Sequence, residues 1–138
     1  MDKKRALQDI LAQSIGTNYY YKHTLSGTYT DGIKLMAETV EAYWLIDAIF
    51  SYNRKEEFQI WTLVVKKGRA LLTMREDKGA PKIVKQKIEF TYFPEGRWKF
   101  YLVDRVLMVP REYLAKKAPG PFPPWTLPSI YIDHRKSF

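Results

Sequence analysis

Residues 30–50, TDGIKLMAETVEAYWLIDAIF, decide how this chain folds. Thr30 or Asp31 can supply an N-cap oxygen, and Asp31 suits the positive end of a helix dipole. Ile33, Met36, Ala37, Val40 and Trp44 then recur at steps of three and four, the spacing of one helical face. Beyond residue 42 the run AYWLIDAIF loses its polar side, and a helix apolar all round is buried on most sides. The pattern predicts one long helix over residues 31–53 as the centre of the fold.

Asp47 interrupts that run. A buried carboxylate is costly unless something pairs with it. It reads either as a structural anchor, hydrogen-bonded to a polar side chain elsewhere, or as an acid with a raised pKa. No second carboxylate or His stands at a fixed spacing, so the anchor is the expectation. A rotation of the helix that exposes Asp47 is the third reading.

Downstream the period changes to two. FQIWTLVV (58–65), RALLTMRE (69–76), IVKQKIEFTYF (83–93), WKFYLV (98–103) and VLMV (106–109) are strand-like, with turn residues between them. Consecutive strands and short turns predict an antiparallel meander of about five strands, packed on the long helix. Residues 3–15 add a short amphipathic N-terminal helix. The fold class is therefore α+β. In the third strand Val84, Ile88, Phe90 and Tyr92 alternate with Lys85, Lys87, Glu89 and Thr91. The pattern sends Phe90 and Tyr92 inward and sets Lys85 and Lys87 beside Arg75 on the solvent side. Those cations serve either solubility and edge protection or a basic platform for an acidic partner.

Two other segments are candidate contact surfaces. Tyr19, Tyr20, Tyr21, Lys22 and His23 precede the helix that Asp31 opens. Aromatic faces there stand beside backbone donors that a helix N-terminus leaves free. Residues 118–138 hold Pro119, Pro121, Pro123, Pro124 and Pro128, which exclude helix and central strand. Their apolar residues, Trp125 foremost, need cover. The segment either docks on its own domain, residues 1–117, or exchanges between two copies as a homodimer.

The chain has 138 residues, enough for one domain, with 46% hydrophobic and 15% aromatic residues. With no Cys it carries no disulfide, thiolate nucleophile or Cys-ligated metal. There is no signal-peptide pattern and no apolar run approaching the ~18 residues of a membrane span, so a cytoplasmic protein without a membrane partner is expected. The two His, residues 23 and 134, suggest no metal site, and no phosphate loop or hydrolase motif occurs. No cofactor is expected, and the reading leans away from an enzyme. A net charge of +8 attracts nucleic acid or acidic protein. The leading expectation is a non-enzymatic protein of a bacterium or its mobile elements, acting through protein contacts. The alternative is a nucleic-acid-binding protein using a basic sheet face.

TDGIKLMAETVEAYWLIDAI, FQIWTLVV, IEFTYFPEG and VLMVPREYL together resemble a family of small bacterial and mobile-element proteins known only as a domain of unknown function. The resemblance covers about residues 18–113. It implies no activity. It does imply that Thr30-Asp31-Gly32, Trp44, Asp47, Trp61 and Tyr113 belong to a shared design, whether core or site.

Overall fold

The computed structural model describes residues 2–13, 19–24 and 27–117. In chain order these form α1 (Lys3–Gln13), β1 (Tyr20–Lys22), β2 (Thr28–Thr30), α2 (Asp31–Thr39), α3 (Tyr43–Ser51), β3 (Phe58–Lys66), β4 (Arg69–Arg75), β5 (Val84–Ile88), β6 (Gly96–Val103), β7 (Val106–Met108) and α4 (Pro110–Lys117). The class is α+β. The strands make one 7-stranded sheet in the order β1-β2-β7-β6-β3-β4-β5. Every pairing is antiparallel except β2 with β7.

The long helix is two helices. Val40 caps α2, Glu41 takes a left-handed φ of 55°, and the Ala42 N–H donates to the Ala37 carbonyl at 2.8 Å. That is a Schellman closure, whose left-handed residue is usually Gly. Glu41 carries no stop signal in the sequence, so the apolar spacing reads straight through it. Splitting the helix lets each half bury its own stripe. Ile33, Met36 and Ala37 of α2, and Leu45, Ile46, Ile49 and Phe50 of α3, are buried in one core. Leu7 of α1 joins them, fully buried.

The five-strand meander is likewise corrected. β3, β4 and β5 follow one another, but β6 returns to the far side of β3, and β7, β2 and β1 extend the sheet beyond it. Pairing on β3 sets Trp98 opposite Leu63 and Phe100 opposite Trp61, a match of large apolar side chains that β5 cannot offer. β5 is left as a short edge carrying Lys85 and Lys87, which discourages further pairing. The expected third strand therefore stops at Ile88. Residues 89–95 become a crossing loop, tied to the β3–β4 turn where the Thr91 N–H donates to the Gly68 carbonyl.

Two tight turns set the register. Lys67 and Gly68 both have positive φ, as do Asp104 and Arg105, the requirement of a type I′ hairpin. Arg105 bears this without being Gly because its guanidinium donates to the Arg54 carbonyl at 3.2 Å and its own carbonyl accepts from Thr28 N–H at 2.9 Å. The helix-facing side of the sheet is apolar: Trp61, Leu63, Val65, Leu72, Met74, Trp98, Phe100 and Leu102 are buried. The opposite side carries Lys and Arg side chains among Thr62, Val64, Leu71 and Thr73.

Candidate functional site

β1 and β5 are the two edges of the sheet. The expected binding residues Tyr19–Lys22 therefore lie at one edge, and Lys85 and Lys87 at the other with Arg75 on the adjacent β4, so they form no single site. At the β1 edge Tyr19 is exposed, but the backbone donors expected to be free are committed. The Asp31 N–H donates to the Tyr19 carbonyl, the Gly32 N–H to Glu112, and the Ile33 N–H to Thr30 Oγ1. Tyr21 stacks on Tyr29 with ring centroids 5.6 Å apart, and Lys34 stands over the Tyr21 ring. The hydrogen bond from Lys34 to Glu38 raises the Lys34 pKa.

Asp47 is not buried. Its side chain is 69% exposed, and its carboxylate accepts from His23 Nε2 at 2.7 Å. His23 is the buried member, its ring 4.8 Å from that of Phe50. The bond ties the residue that follows β1 to α3. Among the described residues the buried carboxylate is Glu112, which VLMVPREYL contains but the candidate site residues do not include. It accepts from Thr30 Oγ1 at 2.5 Å, Gly32 N–H at 3.3 Å and Val109 N–H at 3.0 Å. One side chain thus serves the N-terminus of α2, as a negative group at the dipole's positive end, and reaches back to the Val109 N–H at the start of α4, the Glu half of a capping box. Gly32 leaves room for it, since a Cβ would stand 2.7 Å from Glu112 Oε1.

The other motif residues pack within the fold. Trp61 is fully buried and donates its indole N–H to Gln59 Oε1 at 2.8 Å, and the Gln59 amide donates in turn to the Glu56 carbonyl at 3.1 Å. Tyr113 of α4 packs against Tyr101 and Phe58 on the outer face of the sheet. Trp44 meets Phe93 edge to face. TDG, FQIW and REY are clasps between elements.

A chemically distinctive surface remains: the outer face of β3–β6. Strand registers align its residues in rows. Lys99, Thr62, Thr73 and Lys85 form one row, and Arg97, Val64, Leu71 and Lys87 the next. Arg75 follows beside Ile60 and Tyr101, while Lys66 and Arg69 face each other at the turn. No Asp or Glu occupies an outward position of these four strands. Lys66, Arg69, Lys85, Lys87 and Arg97 are exposed, and none of these cations forms an ion pair among the described residues. Sequence reasoning points to Arg75, Lys85 and Lys87. Arg97 and Lys99 are legible by the same alternation with Trp98 and Phe100, but only the β3–β6 pairing brings them alongside. Trp125 lies outside the described residues, as does all of 118–138.

Residues 5–113 match the model of a family of unknown function (DUF6876). The chain belongs to that family. No curated protein and no solved structure matches it. The DUF6876 match spans α1 through the start of α4, including the Thr30–Gly32 and Glu112 clasp and the whole basic face. Among its described residues no helix is long and apolar enough to cross a membrane, and no three His, Asp or Glu residues gather as a metal site.

Proposed function

We propose that this protein is a binding module whose outer β3–β6 face takes a nucleic acid by its phosphate backbone. The observation that carries this reading is the sign of that face: Lys66, Arg69, Arg75, Lys85, Lys87, Arg97 and Lys99 stand on its four strands, around Thr62, Thr73, Val64 and Leu71, with no carboxylate among them. A face kept only for solubility would mix both signs. A one-sign field attracts a polyanion and releases its counterions. The exposed cations stand at strand spacing on β5, on β6 and at the β3–β4 turn, suited to tracking a backbone. Contact with a protein partner in a bacterial or mobile-element setting is the competing reading, and it rests on the aromatic content and on Trp125.

Binding of a labelled oligonucleotide of about 16 nucleotides, followed by anisotropy between about 50 and about 200 mM salt, tests the proposal. Affinity is expected to fall steeply with salt. Lys85→Ala, Lys87→Ala and Lys99→Ala combined should flatten the slope by about 0.7 for each phosphate no longer neutralised. Lys4→Ala on α1 should leave it unchanged. No binding at the lowest salt, or equal effects of both sets of variants, overturns the reading.

A further inference from the structure

The loop of residues 89–95 exposes two large aromatic side chains that the alternation of the sequence sends inward. Phe90 is 66% and Tyr92 79% exposed, and their rings meet edge to face with centroids 4.8 Å apart. Leaving so much apolar surface in water is unfavourable, and the loop holds it there firmly. The Thr91 N–H donates to the Gly68 carbonyl at 2.8 Å, and Thr91 Oγ1 accepts from the Phe93 N–H at 3.0 Å. Phe93 is buried against Trp98 and Trp44, and the Trp98 indole donates to the Pro94 carbonyl. Glu95 accepts from the Lys67 N–H. With Thr91 and Phe93 fixed inward, the side chains of 90 and 92 are set outward before anything binds.

Their neighbours fix what they suit. Gly68, to which the loop is tied, lies in the turn Lys66-Lys67-Gly68-Arg69, whose three cations are exposed and which closes one end of the basic face. An apolar partner would have to desolvate those cations. A partner with anionic groups along its length and flat apolar faces between them satisfies both features. Unpaired nucleic acid has that chemistry, because its bases are free to stack on aromatic rings while the backbone runs over Lys and Arg. A duplex keeps its bases stacked on one another and offers the rings nothing.

We propose that Phe90 and Tyr92 are a stacking platform for unpaired bases, and that the strand taken by the basic face is single. The inference rests on the reading of that face as a nucleic-acid surface. Three labelled probes of equal length separate the two: a single-stranded oligothymidylate, its duplex with oligoadenylate, and an abasic oligomer with the same phosphates. The wild type should favour the oligothymidylate over both others. Phe90→Ala with Tyr92→Ala should weaken oligothymidylate binding about tenfold or more, leave abasic binding and the salt slope unchanged, and melt as the wild type does. Phe90→Tyr with Tyr92→Phe, which keeps both rings, should retain wild-type affinity. If the alanine pair binds oligothymidylate like the wild type, or the wild type binds all three probes equally, stacking is overturned while the basic-face reading stands. If no probe binds at low salt, both readings fall.

Discussion

The N-terminus of α2 and the middle of α3 each use a carboxylate, and the two behave in opposite ways. Asp47 sits in AYWLIDAIF, surrounded in sequence by apolar residues, and is mostly in water. Glu112 sits in PREYLAKK, a polar stretch, and is 2% exposed. A helix has faces, so its average polarity does not say where one side chain points. α3 turns Leu45, Ile46, Ile49 and Phe50 to the core and leaves Asp47 outside, where it reaches His23. α4 turns Glu112 toward donors that the chain supplies 80 residues earlier. The burial of a charge follows from the partner it finds.

Three substitutions test this contrast, and a fourth tests the break between α2 and α3. Glu112→Ala should have the largest effect. Thr30, Gly32 N–H and Val109 N–H would be left without their acceptor in a buried site, at a cost of about 3 kcal/mol. Denaturant unfolding reads this directly, and a loss below about 1 kcal/mol would mean that water replaces the carboxylate. Gly32→Ala follows, at about 2 kcal/mol, since its methyl would overlap the Glu112 carboxylate. In the Glu112→Ala background the same substitution should cost much less, and strictly additive effects in the double-mutant cycle would refute the clasp.

Asp47→Asn should lower stability by less than about 1 kcal/mol, because the residue is exposed and Asn retains an acceptor for His23. A larger loss would restore the buried-anchor reading of Asp47. Smallest is Glu41→Gly. It removes the strain of a left-handed non-glycine residue, offset by the greater entropy of an unfolded Gly, so a gain of about 0.5 kcal/mol is expected. A decrease would show that the exposed 4.0 Å contact of Glu41 with Lys3 matters more than backbone strain.

Much of the architecture is legible in the residues. Period-two runs locate β3, β4 and β6 closely, Thr30 has the chemistry of the helix cap it is, and Lys67-Gly68 that of a hairpin turn. The break at Glu41 is not legible, because a left-handed Glu looks like any helical Glu. Nor is the exposure of Phe90 and Tyr92. Their alternation with Glu89 and Thr91 continues that of β5, and only the departure of β6 to the other side of β3 ends the strand at Ile88.

The sequence alone determined an α+β class, an apolar layer between helices and sheet, and a surplus of positive charge, because these depend on local periodicity and composition. The tertiary structure decided where that charge gathers, which carboxylate is buried and which aromatics remain in water. Those outcomes depend on strand order and on partners far apart in the chain. A strand's alternation says only that two sets of side chains face opposite ways. The neighbours it acquires decide which set meets the core and what the other set forms with the strands beside it.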